Sequence, residues 1–233
     1  MSTVAELYHA ARGAEGRILG DAIVADLPGS GTRTPHAREW RIRARSLKRV
    51  LETLNGRPFR VLEVGCGNGW FSARLAQAGH SVTGIDNGLV ELDQARRVFA
   101  RLPVTWVEGD PWNGSLPMGS FDIILFAASI QYFPDLQTLV KRCRQLLNED
   151  GEVFIVDSHF YENKAAAEQA RARSAAYYAS IGTPEMAAFY HHHTRQAITE
   201  ACDGMTVEII PPRGRAVAFV LGRYPFPVVR IRP

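Results

Sequence analysis

Cysteine is scarce in this chain. Cys66, Cys143 and Cys202 are odd in number, far apart and without a CxxC pair. That excludes a disulfide framework and a thiolate zinc site, and it points to a reducing compartment. No run of 18 apolar residues occurs, so the sequence offers no membrane-spanning helix. Residues 1–11 lack the cationic-then-apolar order of a secretory signal. An excess of one charge is also missing: a net +3 is too small to argue for a nucleic-acid partner. Internal repeats and low-complexity tracts are absent. The expectation is a soluble, cytoplasmic protein, monomeric or homodimeric, with no membrane partner. At 233 residues and 46% hydrophobic it has material for one sizeable core.

What is present centres on residues 61–70. Val61, Leu62 and Val64 form an apolar run suited to a parallel strand covered on both faces. Gly65, Gly67 and Gly69 follow, and from Trp70 onward Phe71, Leu75 and Ala78 carry helical spacing. Strand, glycine turn and helix start make a place where backbone presses against a ligand and unpaired N–H groups meet negative charge. Strand-like segments recur at 80–86, 104–110, 121–127 and 152–157, separated by helical ones, which predicts an α/β, doubly wound parallel sheet. Asp86 ends the second strand 21 residues past Gly65, where such sheets put the carboxylate that takes ribose hydroxyls. Ahead of the sheet, Trp40, Ala44, Leu47, Leu51 and Leu54 make one helical stripe flanked by Arg38, Arg41, Arg43, Arg45, Lys48 and Arg49. This is either a solvated basic face or a source of one or two arginines that reach a carboxylate or phosphate. Residues 27–35, rich in Gly, Pro, Ser and Thr, read as a loose and mobile loop.

The loop departs from the dinucleotide fingerprint G-x-G-x-x-G/A, whose third position falls on Trp70 or Ser72 here. The pattern Glu63-x-Gly65-x-Gly67-x-Gly69 instead resembles the first motif of the class I S-adenosylmethionine (SAM)-dependent methyltransferases. The likeness continues through the strand-end acids to residue 157. It implies a mostly parallel seven-stranded sheet with an antiparallel last strand, helices on both faces and SAM bound, with S-adenosylhomocysteine (SAH) as product. By the same resemblance the cofactor lies on Glu63, Gly65, Cys66, Gly67 and Gly69. Asp86 holds its ribose and Asp110 contacts its adenine, with Pro111 and Trp112 flanking the ring, and Asn87 and Gly109 are further cofactor-binding residues. Ala127 and Gln131 line the far wall, Gln131 standing where many members have histidine. Tyr8 and Arg12 are expected over the cofactor carboxylate. Residues 1–57 would form a helical segment over the cleft, and 58–233 the SAM-binding domain.

Between the fifth and sixth strands the crossover runs far beyond the dozen residues it needs. It reads as a helical lid over 158–193: one helix over 162–181, a second from Thr183-Pro184 to about residue 193, then a third capped by Thr194. A terminal strand pair, 205–210 and 226–232, closes the sheet, and 216–222 fits helix or strand equally. His159 and Tyr161 leave the fifth strand at the cleft and, with His192, are the candidate catalytic groups. Three adjacent helical histidines, His191, His192 and His193, point about 100° apart and cannot converge on one ion, so no metal is expected. The expected activity is methyl transfer to a small-molecule acceptor, one bearing a carboxylate or phosphate, with transfer to O, N, C or S left open. Two alternatives are a NAD-dependent oxidoreductase, opposed by Trp70 and the final strand pair, and a non-catalytic SAM-binding module, opposed by the elaborated lid.

Overall fold

The computed structural model describes residues 3–210 and 226–233. Three helices precede the sheet: α1 (Val4–Ala14), α2 (Asp21–Ala25) and α3 (Ala37–Leu54). Thr3 and Glu6 cap α1 reciprocally, and α3 stops on Asn55 in the left-handed conformation. The sheet then forms from β1 (Arg60–Val64), β2 (Ser81–Asp86), β3 (Val104–Glu108), β4 (Phe121–Ala127) and β5 (Leu147–Val156). Between them run α4 (Trp70–Gln77), α5 (Leu89–Val98) and α6 (Leu136–Leu146). After β5 come α7 (Lys164–Ser180), α8 (Arg195–Ala201), β6 (Thr206–Ile210) and β7 (Val228–Arg232). Strand order is β3-β2-β1-β4-β5-β7-β6, with β1 to β5 parallel and β7 antiparallel to both β5 and β6. The predicted fold class holds. Among the described residues no helix is long and apolar enough to cross a membrane.

The apolar strand runs have a direct cause. Leu62, Val64, Ile124, Phe126, Val153 and Ile155 face one cluster, packed with Leu139, Cys143 and Leu146 of α6 and Ile198 of α8. Their neighbours Val61, Ile123, Leu125, Phe154 and Val156 face the other, against Leu47 and Val50 of α3 and Phe71 and Leu75 of α4. Both faces are covered, so alternation disappears from the sequence. Each fully buried side chain of this kind contributes about 1.5–3 kcal/mol.

Three expectations need revision or lie out of reach. The stretch 27–35 is not loose: Leu27 is fully buried, Ser30–Arg33 forms a 3-10 turn, and Arg74 donates to the carbonyls of Leu27 (2.6 Å) and Ala25 (2.8 Å). Turn-forming residues predicted a loop, but burial fixed it. The second lid helix is only a 3-10 turn, Pro184–Phe189, and Thr183 makes no side-chain cap. Residues 190–193 leave the helical path because backbone pairing holds them: Tyr161 N–H donates to the His193 carbonyl and Arg195 N–H to that of Tyr161, each at 2.8 Å. The histidines therefore do not share a helix. The segment 216–222 lies outside the described residues.

Candidate active site

The carboxyl ends of β1 to β4 surround a cavity of about 190 Å³, and a second of about 680 Å³ adjoins it. The two share walls at Tyr8, Arg12, Arg17, Arg43, Ala128, Tyr132 and Met186. The loop from Gly65 to Asn68 lines the first. Gly65 has φ +72° and a Cβ there would stand 2.6 Å from Cβ of Ser129, whose hydroxyl donates to the Val64 carbonyl at 2.5 Å. Only glycine fits that crossing of β1 and β4. Asp86, at the end of β2, ties the loop down: its carboxylate accepts from Gly67 N–H and Gly88 N–H, both at 2.7 Å. Burial raises the Asp86 carboxyl and these two backbone donors oppose the rise.

Glu63 is buried beneath the loop and accepts a short hydrogen bond from Ser72 Oγ. Burial pushes its carboxyl up to about 8; the Ser72 bonds pull the other way, and nearby Asp86 adds to the rise. It is therefore protonated near neutrality. The unfolded chain has the lower value, so folded-state stability falls as pH rises from about 4.5 through about 8. Glu63→Gln should remove this loss. The variant is expected to match wild type in thermal unfolding near pH 5 and exceed it above pH 8, by on the order of a few kcal/mol. Equal pH dependence in both proteins would contradict the buried, raised carboxyl.

Of the predicted cofactor residues, Glu63, Gly65, Cys66, Gly67, Asp86, Asn87, Gly109, Asp110, Pro111 and Ala127 line the first cavity. Two do not. Gly69 caps α4 and abuts Trp106 and Ala95. Gln131 lines the second cavity, donating to the Ala128 carbonyl (2.5 Å) and accepting from Ser158 Oγ (3.0 Å). The first cavity also holds Glu91 and Ser129, which sequence reasoning missed; the acid in the first turn of α5, five residues after Asp86, was the available signal.

The second cavity has a floor of Ala128, Gln131, Asp157 and His159 at the ends of β4 and β5. Ala128 and Asp157 sit at φ +56° and +55°, a strained pair on adjacent strand ends. Asp157 accepts from Ser46 Oγ of α3 at 2.6 Å. The opposite wall is α1 with the lid: Tyr8, Tyr178 and Tyr190, with Tyr132 from the turn after β4, pack round Ala11 and Met186. Cations are abundant, and three of the four are tethered. Arg12 reaches Glu15 (3.2 Å), Arg17 bridges Glu15 (3.0 Å) and Glu39, and Arg43 pairs with Glu39 (2.7 Å). On α3, Arg41, Arg45 and Lys48 are exposed, whereas Arg43 turns inward. His159 lines this cavity; Tyr161, with its ring 4.5 Å from that of His159, lines neither. His192 also lines neither. It is buried, its Nε2 lies 2.9 Å from Oγ of Ser174, which does line the second cavity, and burial lowers its pKa. Among the described residues no three His, Cys, Asp or Glu side chains are grouped to hold a metal.

The first cavity fits an adenosyl group. Carboxylates at a cleft call for hydroxyl or amino donors from a ligand, and Asp86, Glu91 and Asp110 all line this cavity. Comparison with known proteins agrees. A family model described as "Methyltransferase domain" matches residues 61–151. An uncharacterized methyltransferase of Mycobacterium tuberculosis is 33% identical over 96 residues, which cover 41% of this chain and 49% of that protein. The ubiquinone biosynthesis O-methyltransferase of Photorhabdus laumondii is 35% identical over 111 residues, covering 46% and 45%. The chain thus spans about half the length of the curated relatives it matches. Among solved structures, a SAM-dependent methyltransferase from Mesorhizobium loti superposes with TM-score 0.58 at 21% identity, covering 79% of this chain and 96% of that one. Geranyl diphosphate C-methyltransferase from Streptomyces coelicolor gives TM-score 0.59 at 14% identity, covering 90% and 82%. At these identities the structures establish the shared fold.

Proposed function

Since residues 61–151 carry a methyltransferase domain of the class I, Rossmann-like kind, we propose that this chain is a SAM-dependent methyltransferase acting on a small molecule. The observation that carries the reading is the pair of cavities with one common wall at Ala128 and Tyr132. A cofactor cleft on the loop side then leads into an acceptor chamber. Bound SAM supplies an electrophilic methyl group on sulfur, which passes to an acceptor nucleophile and leaves SAH. The residues of this chain do the positioning, from which most of the acceleration of an in-line displacement comes. Asp86 takes a ribose hydroxyl on a remaining lone pair, Asp110 faces the adenine, and Arg12 with Tyr8 receives the cofactor carboxylate. Residues 1–57 and 158–193 act as the cover that keeps water from the chamber.

The acceptor is read as anionic. Arg17 and Arg43 are matched by Glu15 and Glu39, whereas Arg38 lines the chamber with no ion pair among the described residues and is the cation open to such an acceptor. The relatives named for ubiquinone biosynthesis and geranyl diphosphate methylation are in keeping with a small acceptor. Where the acceptor loses a proton, His159 and Asp157 are the chamber groups positioned to take it. The test is thermal unfolding with SAM, SAH and NAD in turn. A ligand at a hundredfold its dissociation constant adds about 2.7 kcal/mol, a shift of several degrees for a chain this size. Shifts with SAM and SAH alone are expected. A shift with NAD alone, or with none of the three, sinks the proposal.

A further inference from the structure

Beside the glycine loop stand two carboxylates in different circumstances. Asp86 is already engaged, one oxygen on Gly67 N–H and the other on Gly88 N–H. Glu91 lines the same cavity, and no hydrogen bond or ion pair within 4 Å to it is found among the described residues. The ordinary role for an acid at this point of a helix is a capping box, with the glutamate reaching back to the N-cap N–H. Here the N-cap is Gly88, and its N–H belongs to Asp86, so that role is taken. The arginines do not hold Glu91 either: Arg12 is directed at Glu15 and Arg43 at Glu39. Yet the carboxylate is aimed at the loop. A Cβ on Gly67 would lie 3.2 Å from Glu91 Oε2. A Cβ on Gly88 would lie 3.1 Å from Asp86 Oδ1 and 3.8 Å from Glu91 Oε2, so both acids converge on one point beside the loop.

We propose that Glu91 is a second ribose-binding carboxylate, taking a hydroxyl of the cofactor's vicinal diol alongside Asp86. This rests on reading the cleft as a SAM site. Two hydroxyls on adjacent carbons present two donors side by side, which two converging carboxylates match and one already engaged carboxylate does not. The groups facing Glu91 are Asp86 from β2, Arg12 from α1 and Arg43 from α3; its charge is also felt by Tyr8 of α1 and Cys66 of the loop. Burial pushes the Glu91 carboxyl up to about 7 and Asp86 adds to the rise, while the two arginines oppose it. A ligand hydroxyl donates best to the ionised form. Binding should therefore strengthen as pH rises through about 7 and should expel a proton.

Calorimetric titration of SAH into wild type and Glu91→Gln, near pH 6 and pH 8 and in buffers of different ionisation enthalpy, tests this. Wild type should bind up to about tenfold more tightly at the higher pH, with proton release near pH 7. Glu91→Gln should bind more weakly at pH 8 and lose both the pH dependence and the released proton. Glu91→Asp, a shorter acid, should also bind more weakly yet keep a pH dependence. 5′-Methylthioadenosine carries the diol without the amino acid, and the loss in Glu91→Gln should be the same factor for it as for SAH. A loss seen with SAH alone would move Glu91 to the ammonium and overturn the assignment. So would wild-type affinity and pH profile in Glu91→Gln. If wild type binds neither compound, the SAM reading itself has failed.

Discussion

Asp86→Ala should cost this protein its cofactor site while leaving most of its fold. The carboxylate organises the loop from the inside through Gly67 N–H and Gly88 N–H, and it faces the cleft. Charge-assisted hydrogen bonds of this kind contribute about 1.5–3 kcal/mol each. Losing them to loop and ligand together should weaken SAH binding by about a hundredfold or more. The effect on stability is smaller, because removing a carboxyl that burial already disfavours offsets part of the cost of two unpaired N–H groups. Asp86→Asn should fall between the two proteins, since an amide offers one acceptor where two donors converge. Calorimetry for affinity and urea unfolding for stability separate the two effects. Affinity within about threefold of wild type in Asp86→Ala would remove this residue from the site.

Gly69→Ala should do the reverse, damaging the fold ahead of the site. Gly69 has φ +74°, and a Cβ there would stand 2.3 Å from Trp106 Cη2 and 2.8 Å from the Ala95 Cβ. Overpacking of that kind costs about 1–3 kcal/mol, and the left-handed conformation adds about 1–2 kcal/mol. Trp106→Ala in the same chain should relieve the overlap and recover part of the loss, giving a non-additive pair. Gly69 lines neither cavity, so SAH affinity of the folded variant should stay near wild type. Full additivity in the cycle would mean that the tryptophan is not what excludes a side chain. The contrast with Asp86 separates two reasons for conserving a loop geometry: packing against a neighbour and contact with a ligand.

These cases also mark how far the sequence could be read. The parallel sheet, the glycine loop and the acids after β2 and β3 were legible because each is a local pattern. Strands buried on both faces lose alternation, as Val61 to Val64 do, and the positive φ of the loop at Gly65, Gly67 and Gly69 favours glycine. The cap at Thr194 was local too, its Oγ1 accepting from Ala197 N–H. What failed was decided between distant segments. The loop at 27–35 carries turn residues but is held by Arg74, and residues 190–193 are drawn straight by pairing with Tyr161. Gly69 and Gly65 look alike in sequence; only the neighbours, Trp106 for one and Ser129 for the other, separate packing from crossing. Glu91 is one helical acid among several until Asp86 takes its cap partner and leaves it facing the cleft. Periodicity and turn chemistry act over a few residues, so they survive in one dimension. Which polar group is left unpartnered depends on every segment that approaches it, and that exists only once the chain has folded.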